Sequence, residues 1–242
     1  MKRIIIYGAS SGIGRALACM YALQGNKVAV AARRMDNLVA LQHQFPDNVI
    51  PFQVDVTDNS GEQFNEMADA LQGADLVIYC SGMGKQNVAF DMDIEYRTID
   101  VNVTAFTTVV AAVVEYGSRV EHHVQFATIS SIASTKGLGV SASYSATKMY
   151  QVRYLESMRQ LASIKGWNMG FTVIKPGFIA TDFIKDRTYP MTMTLDYAAK
   201  RIKRAIDKGK NSAVIDWRWA IVVGFWKMIP NRLWYKLKIS RG

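Results

Sequence analysis

The sequence predicts an α/β fold: a doubly wound parallel sheet of seven strands with helices on both faces, followed by an aromatic and basic C-terminal extension. Three observations predict it. Short apolar runs alternate with amphipathic stretches along the chain, which is the βαβ rhythm of a parallel sheet. No Pro- or Gly-rich linker and no internal repeat divides the 242 residues, a length that suits one large domain with a substantial core. Three glycines, Gly8, Gly12 and Gly14, cluster between the first apolar run and the first amphipathic stretch. Glycine costs backbone entropy inside regular structure, so a cluster at this junction needs a reason.

The first strand is RIIIY, ending at Tyr7, and the first helix runs from Ile13 to Gln24. KVAVAA then leads into a helix from Met35 to Gln44, and VIPFQVD into one from Ser60 to Leu71. ADLVIYC is the fourth strand, with a helix from Ile94 to Val114, and HHVQFATIS the fifth, with a helix from Ser143 to Ser163. NMGFTVIKPG, a helix from Asp196 to Asp207, and SAVID complete seven strands. Right-handed crossovers make the sheet doubly wound, and ligands in such sheets bind outside the carboxyl ends of the strands.

Half the residues are hydrophobic and a fifth are charged, which excludes a disordered chain. Two cysteines, Cys19 and Cys80, fit a reducing, cytoplasmic setting with no disulfide framework, and no metal-ligand spacing occurs. The apolar run after Met1–Arg3 is too short for a signal peptide and lacks a cleavage pattern. The net charge of +9 resides in the tail, where residues 198–242 hold twelve Lys or Arg against Asp207 and Asp216.

Glycines opening a helix after a strand let a pyrophosphate approach free backbone N–H groups and the helix dipole, although a tight turn alone would also use them. At the end of the second strand Ala32 stands where a ribose-binding carboxylate would be, and Arg33 and Arg34 follow. That choice favours a 2′-phosphate, hence NADP(H) over NAD(H), against the plainer reading of a solvated helix start. Asp55, after the third strand, is placed to accept from an adenine amino group, whereas Asp58 caps or solvates a helix.

Tyr144 and Lys148 are four residues apart on one helix face, thirteen residues beyond Ser131 at the end of the fifth strand. A tyrosine near pKa 10 is a poor acid–base group at neutrality unless a neighbouring ammonium stabilises its phenolate. A serine at the same substrate oxygen would polarise a carbonyl. Y-x-x-x-K is common by chance, and it is the combination with the glycine turn and Ser131 that makes it specific.

Over roughly Lys2 to Asp216 the chain resembles the short-chain dehydrogenase/reductase family, in GASSGIG, VDV at Asp55, YCSG, Asn102 in DVNVTA, Ser131 in ISS, YSATK and KPGFIATD. The resemblance implies a Rossmann-type NADP(H)-dependent oxidoreductase with Asn102, Ser131, Tyr144 and Lys148 as catalytic tetrad. In it Tyr144 is the general acid/base, Lys148 lowers its pKa and binds the nicotinamide ribose, and Ser131 orients the substrate oxygen. Asn102 would kink its helix and hold a water linking Lys148 to solvent. Implied cofactor contacts are Gly8, Ser10, Ser11, Gly12, Ile13, Gly14, Arg33, Arg34, Asp55, Val56, Ser81 and Gly82. Pro176, Gly177 and Ile179 would line the nicotinamide and Thr181 would bond its carboxamide. Two departures stand out: Tyr7 where the family usually has Thr, and YCSG where it usually has NNAG.

Residues 1–216 are read as the oxidoreductase domain, with a substrate lid at 182–197 in which Phe183, Met191 and Met193, with Phe178 just before it, suit either a core or a lipophilic pocket. Residues 217–242 carry Trp217, Trp219, Trp226 and Trp234 among Arg218, Lys227, Arg232, Lys236, Lys238 and Arg241. The uncharged run Trp219 to Trp226 is too short to cross a bilayer, and the segment reads as a membrane-interface helix, a core-completing helix or an assembly contact. Nucleic acid is disfavoured because no recognition motif accompanies the charge. The expected activity is reduction of an apolar or lipid-linked ketone. The alternatives are a small-molecule or sugar alcohol dehydrogenase and an NADP(H)-sensing protein without turnover. The family expectation is a homo-dimer or homo-tetramer.

Overall fold

The computed structural model describes residues 1–58, 60–181 and 189–237. Of the predicted features, Phe183, Lys238, Arg241 and the first part of the lid lie outside the described residues. The strands are β1 (Arg3–Tyr7), β2 (Lys27–Ala32), β3 (Val49–Gln53), β4 (Leu76–Tyr79), β5 (Val124–Ile129), β6 (Met169–Pro176) and β7 (Ser212–Ile215). They form one parallel sheet in the order β3-β2-β1-β4-β5-β6-β7. Its direction of winding reverses between β1 and β4, so a crevice opens beyond their carboxyl ends.

The helices are α1 (Gly12–Ala22), α2 (Met35–Gln44), α3 (Ser60–Ala70), α4 (Met92–Ile99), α5 (Ala105–Gly117), α6 (Ala142–Lys165), α7 (Leu195–Asp207), α8 (Trp217–Met228) and α9 (Asn231–Trp234). On one face of the sheet α1, α2, α7 and α8 bury Leu17, Leu38, Ile202 and Trp219 against Ile4 and Ile6. On the other, α3, α5 and α6 bury Phe64, Phe106 and Leu155 against Ile5 and Tyr7. Burial on both faces is why the strands read as continuous apolar runs.

A π-turn, Asp100–Thr104, joins α4 to α5. The combined helix Met92–Gly117 is long and apolar enough by length and composition to cross a membrane, but Phe106, Val109, Val110 and Val113 on it are fully buried in this fold.

Packing accounts for Tyr7 and for Tyr79, the first residue of YCSG. Tyr7 and Tyr79 are paired in register on β1 and β4, and their rings lie 5.9 Å apart in the core. Each hydroxyl reaches a helix carbonyl: Tyr7 donates to Ser60 O, at the start of α3, at 3.4 Å and Tyr79 to Val101 O at 2.7 Å. Tyr79 therefore satisfies a carbonyl in the π-turn that carries Asn102.

Candidate active site

The glycine turn has separate causes at each end. A Cβ on Gly14 would collide with the Gly8 carbonyl oxygen, so glycine there lets α1 pack against its own turn. Gly12 has φ +54 and faces only the Thr181 side chain, which brings the segment after β6 over the start of α1. Ser11 caps α1 with extended backbone but makes no side-chain cap bond, and no acid occupies the first turn. The helix thus presents uncapped N–H groups and a positive dipole end to the crevice.

Arg34, rather than Arg33, is fixed on this turn. Its guanidinium donates to Ser10 Oγ at 2.9 Å and to Ser11 Oγ at 2.7 Å. The Arg33 side chain is 78% exposed and lies 3.9 Å from Asp55 Oδ2. Asp55 is turned inward on its own loop, accepting from Thr57 N at 3.1 Å and Thr57 Oγ1 at 2.8 Å. Partial desolvation works to raise its carboxyl, but the Thr57 bonds and Arg33 hold it below the ordinary value. Asp58 is exposed just ahead of α3, and Val56 lies half-buried beside Asp55.

Ser131, Gly84 and Lys148 converge on Tyr144. Ser131, at the end of β5, accepts from Ala133 N at 3.1 Å, which fixes its Oγ, and it hydrogen-bonds Tyr144. Burial pushes the Tyr144 phenol up, and the Ser131 bond opposes that shift. Gly84 lies flat beneath the Tyr144 ring, where any Cβ would overlap it. Lys148 Nζ stands 5.9 Å from the centre of that ring and donates to Ile129 O at 3.0 Å and Gln151 Oε1 at 3.2 Å. Burial pulls Lys148 down to about 8, and pushes the adjoining Cys80 thiol up to about 12, so Cys80 is a neutral neighbour.

Asn102 sits in the π-turn, fully buried, and ties three elements together. Its amide donates to Met83 O at 2.7 Å and Thr147 Oγ1 at 3.0 Å, while its Oδ1 accepts from Met83 N at 3.0 Å. Its backbone carbonyl accepts from Gln151 Nε2 at 3.0 Å. One amide thus bridges Asn102 O and Lys148 Nζ. Sequence reasoning missed Gln151, although Tyr144, Lys148 and Gln151 follow one helix face at i, i+4 and i+7, an unusual place for a buried amide. Gly84 was missed too, because only the Tyr144 rotamer shows why a side chain is excluded.

Ser81 and Gly82 line the start of the loop after β4, where a Cβ on Gly82 would come within 3.2 Å of Lys148 Nζ. On the opposite wall, Pro176 ends β6, and Gly177 passes so close to the Trp219 indole that a Cβ would overlap it. Ile179 bridges to Met193, and Thr181 Oγ1 turns back to Ile179 O at 3.3 Å. Ile13, in the first turn of α1, packs against the same core cluster. Beyond β6, Phe178 stacks on Tyr189 at 4.0 Å and meets Trp219 edge-on at 5.5 Å. These rings, with Met191 beside them, make the wall apolar. Among the described residues no cluster of His, Cys, Asp or Glu could hold a metal ion.

Comparison with known proteins agrees with this fold. The family model described as short chain dehydrogenase matches residues 2–191. An uncharacterized oxidoreductase of Myxococcus xanthus (strain DK1622) is 30% identical over 96% of this chain and 94% of its own length. Another, of Mycobacterium tuberculosis (strain ATCC 25618 / H37Rv), is 31% identical over 96% of this chain and 95% of its own. Among solved structures, a short chain dehydrogenase from Burkholderia cenocepacia J2315 in complex with NADP superposes with a TM-score of 0.82 at 20% identity, covering 98% of this chain and 97% of that one. ElxO with NADP bound gives 0.80 at 19% identity, covering 91% of this chain and all of that one.

Proposed function

Because the chain belongs to the short chain dehydrogenase family, we propose that it is an NADP(H)-dependent oxidoreductase that interconverts an apolar or lipid-linked ketone and its secondary alcohol. The observation that carries this reading is the Ser131–Tyr144 hydrogen bond set beside buried Lys148 at the carboxyl end of β5. A dinucleotide fits the chain's own residues. The start of α1 is uncapped, Gly12 and Gly14 leave the turn bare, and Arg34 is held on Ser10 and Ser11, where a 2′-phosphate would find its guanidinium. When bound, the cofactor supplies or accepts the hydride at nicotinamide C4. Pro176, Gly177, Ile179 and Thr181 would flank its nicotinamide end, and Asp55, Val56, Ser81 and Gly82 its adenosine half.

In the reductive direction Tyr144 delivers its phenolic proton to the substrate oxygen, and Ser131, whose Oγ lone pair is engaged by Ala133 N, donates its own O–H to the same oxygen. The product is the alcohol, with one hydride and one proton added across the carbonyl. Lys148 lies close enough to stabilise the phenolate left behind. Burial acts against the Lys148 charge, and Ile129 O and Gln151 Oε1 act for it by accepting from its N–H groups. Gln151 is therefore a positioning residue: it supports the charged lysine with its oxygen and fastens the Asn102 turn with its nitrogen. The Phe178, Tyr189, Met191 and Trp219 wall supports an apolar substrate.

The test is NADPH oxidation by the purified protein over ketones of increasing chain length. The proposal expects kcat/KM to rise with each added methylene, by up to about fourfold if each is fully buried. A preference for polar sugar ketones would overturn the substrate class, and NADPH binding without turnover on any carbonyl would overturn the enzymatic reading.

A further inference from the structure

Apart from Arg218 and Lys227, helix α8 is apolar on both its inner and outer faces, and only part of that surface is used within the fold. One face buries Trp219 and Val223 in the core and sets Trp226 edge-on to Trp234, 5.5 Å away. The far end is pinned as well: Trp234 Nε1 donates to Gly137 O at 2.8 Å, and Lys136 Nζ donates to Ile229 O at 3.0 Å and Asn231 Oδ1 at 2.7 Å. The opposite face carries Trp217, Ile221, Phe225 and Met228, which are 67%, 51%, 64% and 77% exposed. At 100° per residue these four fall within roughly 80° of arc, a continuous stripe. Leu233, Tyr235 and Leu237 extend the exposed apolar surface past Pro230.

From this arrangement we infer that the outward face of α8 and the turn into α9 form a docking surface for an anionic lipid bilayer. Charge selects the occupant. Arg218 and Lys227 flank the stripe on either side, Arg232 and Lys236 follow it, and no Asp or Glu occurs from Trp217 to Leu237. Arg218 is neutralised by Asp216 on the core side, so Lys227, Arg232 and Lys236 are the cations that a negative surface would attract. A second copy of the chain would bring these same cations together with no carboxylate between them. A nucleic acid would use the cations but leave the Ile221, Phe225 and Met228 surface in water. A lipid headgroup layer answers both, accepting the side chains among its acyl chains and the cations at its phosphates.

Twelve residues of helix span about 18 Å, well short of the roughly 30 Å of a hydrocarbon core, so α8 lies flat and does not cross. Because its inner face supports Gly177 and Phe178 through Trp219, docking would hold the apolar wall of the crevice next to the bilayer. The inference does not depend on turnover, and its test reads lipid binding alone.

The full-length protein is sedimented with vesicles of mixed phosphatidylglycerol and phosphatidylcholine, and with phosphatidylcholine alone. The inference expects binding to the mixed vesicles that weakens with added salt and is at least about tenfold weaker on phosphatidylcholine. Lys227→Ala and Arg232→Ala should each weaken it about fivefold, and Ile221→Glu with Phe225→Glu at least about tenfold, with thermal unfolding unchanged. In the unsubstituted protein, lipids brominated in the acyl chain should quench tryptophan fluorescence, and Trp217→Phe should remove most of that quenching. Absence of sedimentation and quenching overturns the inference, as does binding indifferent to the glutamate pair. A dimer dispersed by that pair, without vesicle binding, would instead assign the stripe to a second copy.

Discussion

Replacing Gln151 with leucine removes both hydrogen bonds of the amide while keeping its volume nearly constant. Lys148 then keeps Ile129 O as its remaining acceptor in a buried site where desolvation already draws it to about 8. A hydrogen bond to a buried charge contributes about 1.5–3 kcal/mol, which corresponds to roughly one to two pKa units. The shift is downward, because the lost group is an acceptor that favoured the ammonium. If reduction needs protonated Lys148, kcat/KM falls as pH rises through the lysine value in the free protein, and that falling limb moves from near 8 to about 6–7. At pH about 7.5 the loss is then about tenfold. Gln151→Glu has the opposite sign, since a carboxylate beside Nζ moves the limb above its original position. The assay is the pH profile of kcat/KM for NADPH-dependent ketone reduction, with thermal unfolding as the check on folding. A leucine variant that stays folded and keeps the original limb would refute the positioning role.

Three further outcomes follow from the same geometry. Arg34→Ala should weaken NADPH binding about tenfold to hundredfold by losing a charge-assisted phosphate contact, leave NADH nearly unchanged, and exceed the effect of Arg33→Ala; titration calorimetry with both nucleotides checks it. Gly84→Ala should force the Tyr144 ring aside and lower kcat on the order of a hundredfold while NADPH still binds, which steady-state kinetics and nucleotide titration separate. Lys148 is held at about 8 when folded and returns to about 10.4 when unfolded, so the unfolded chain binds the extra proton between those values. Its burial therefore costs about 3 kcal/mol at neutral pH, and stability recovers as pH rises from 8 to 10.4; Lys148→Met should flatten that rise in denaturant titrations of the cofactor-free protein.

The sheet was legible because its central strands are buried on both faces and so appear as apolar runs; the irregularity at Asn102 was expected from the family resemblance alone, while its form as a π-turn over Asp100–Thr104, with Tyr79 donating to Val101 O, depends on a tertiary contact. Tyr7 looked anomalous in the sequence for a related reason. Its place depends on the register that sets it beside Tyr79, which no local pattern encodes. At the nucleotide end, Arg33 and Arg34 are equivalent as letters, and only the strand's end geometry turns one to solvent and the other onto Ser10 and Ser11. Gln151 illustrates the limit most clearly: a polar residue on a helix face is ordinarily solvated, and its partners come from the π-turn and from Lys148 one turn away. The tail was ambiguous because α8 is apolar on both sides, so composition could not say which tryptophans face inward.

The most direct test of the account is single-turnover transfer of deuterium from C4-labelled NADPH to a ketone, comparing the unsubstituted protein with Tyr144→Phe. The account predicts label on the carbinol carbon of the product, and a loss of roughly a hundredfold to ten-thousandfold in rate for the variant with unchanged NADPH affinity. Transfer at an undiminished rate by Tyr144→Phe, or no label in any product of the unsubstituted protein, would contradict it.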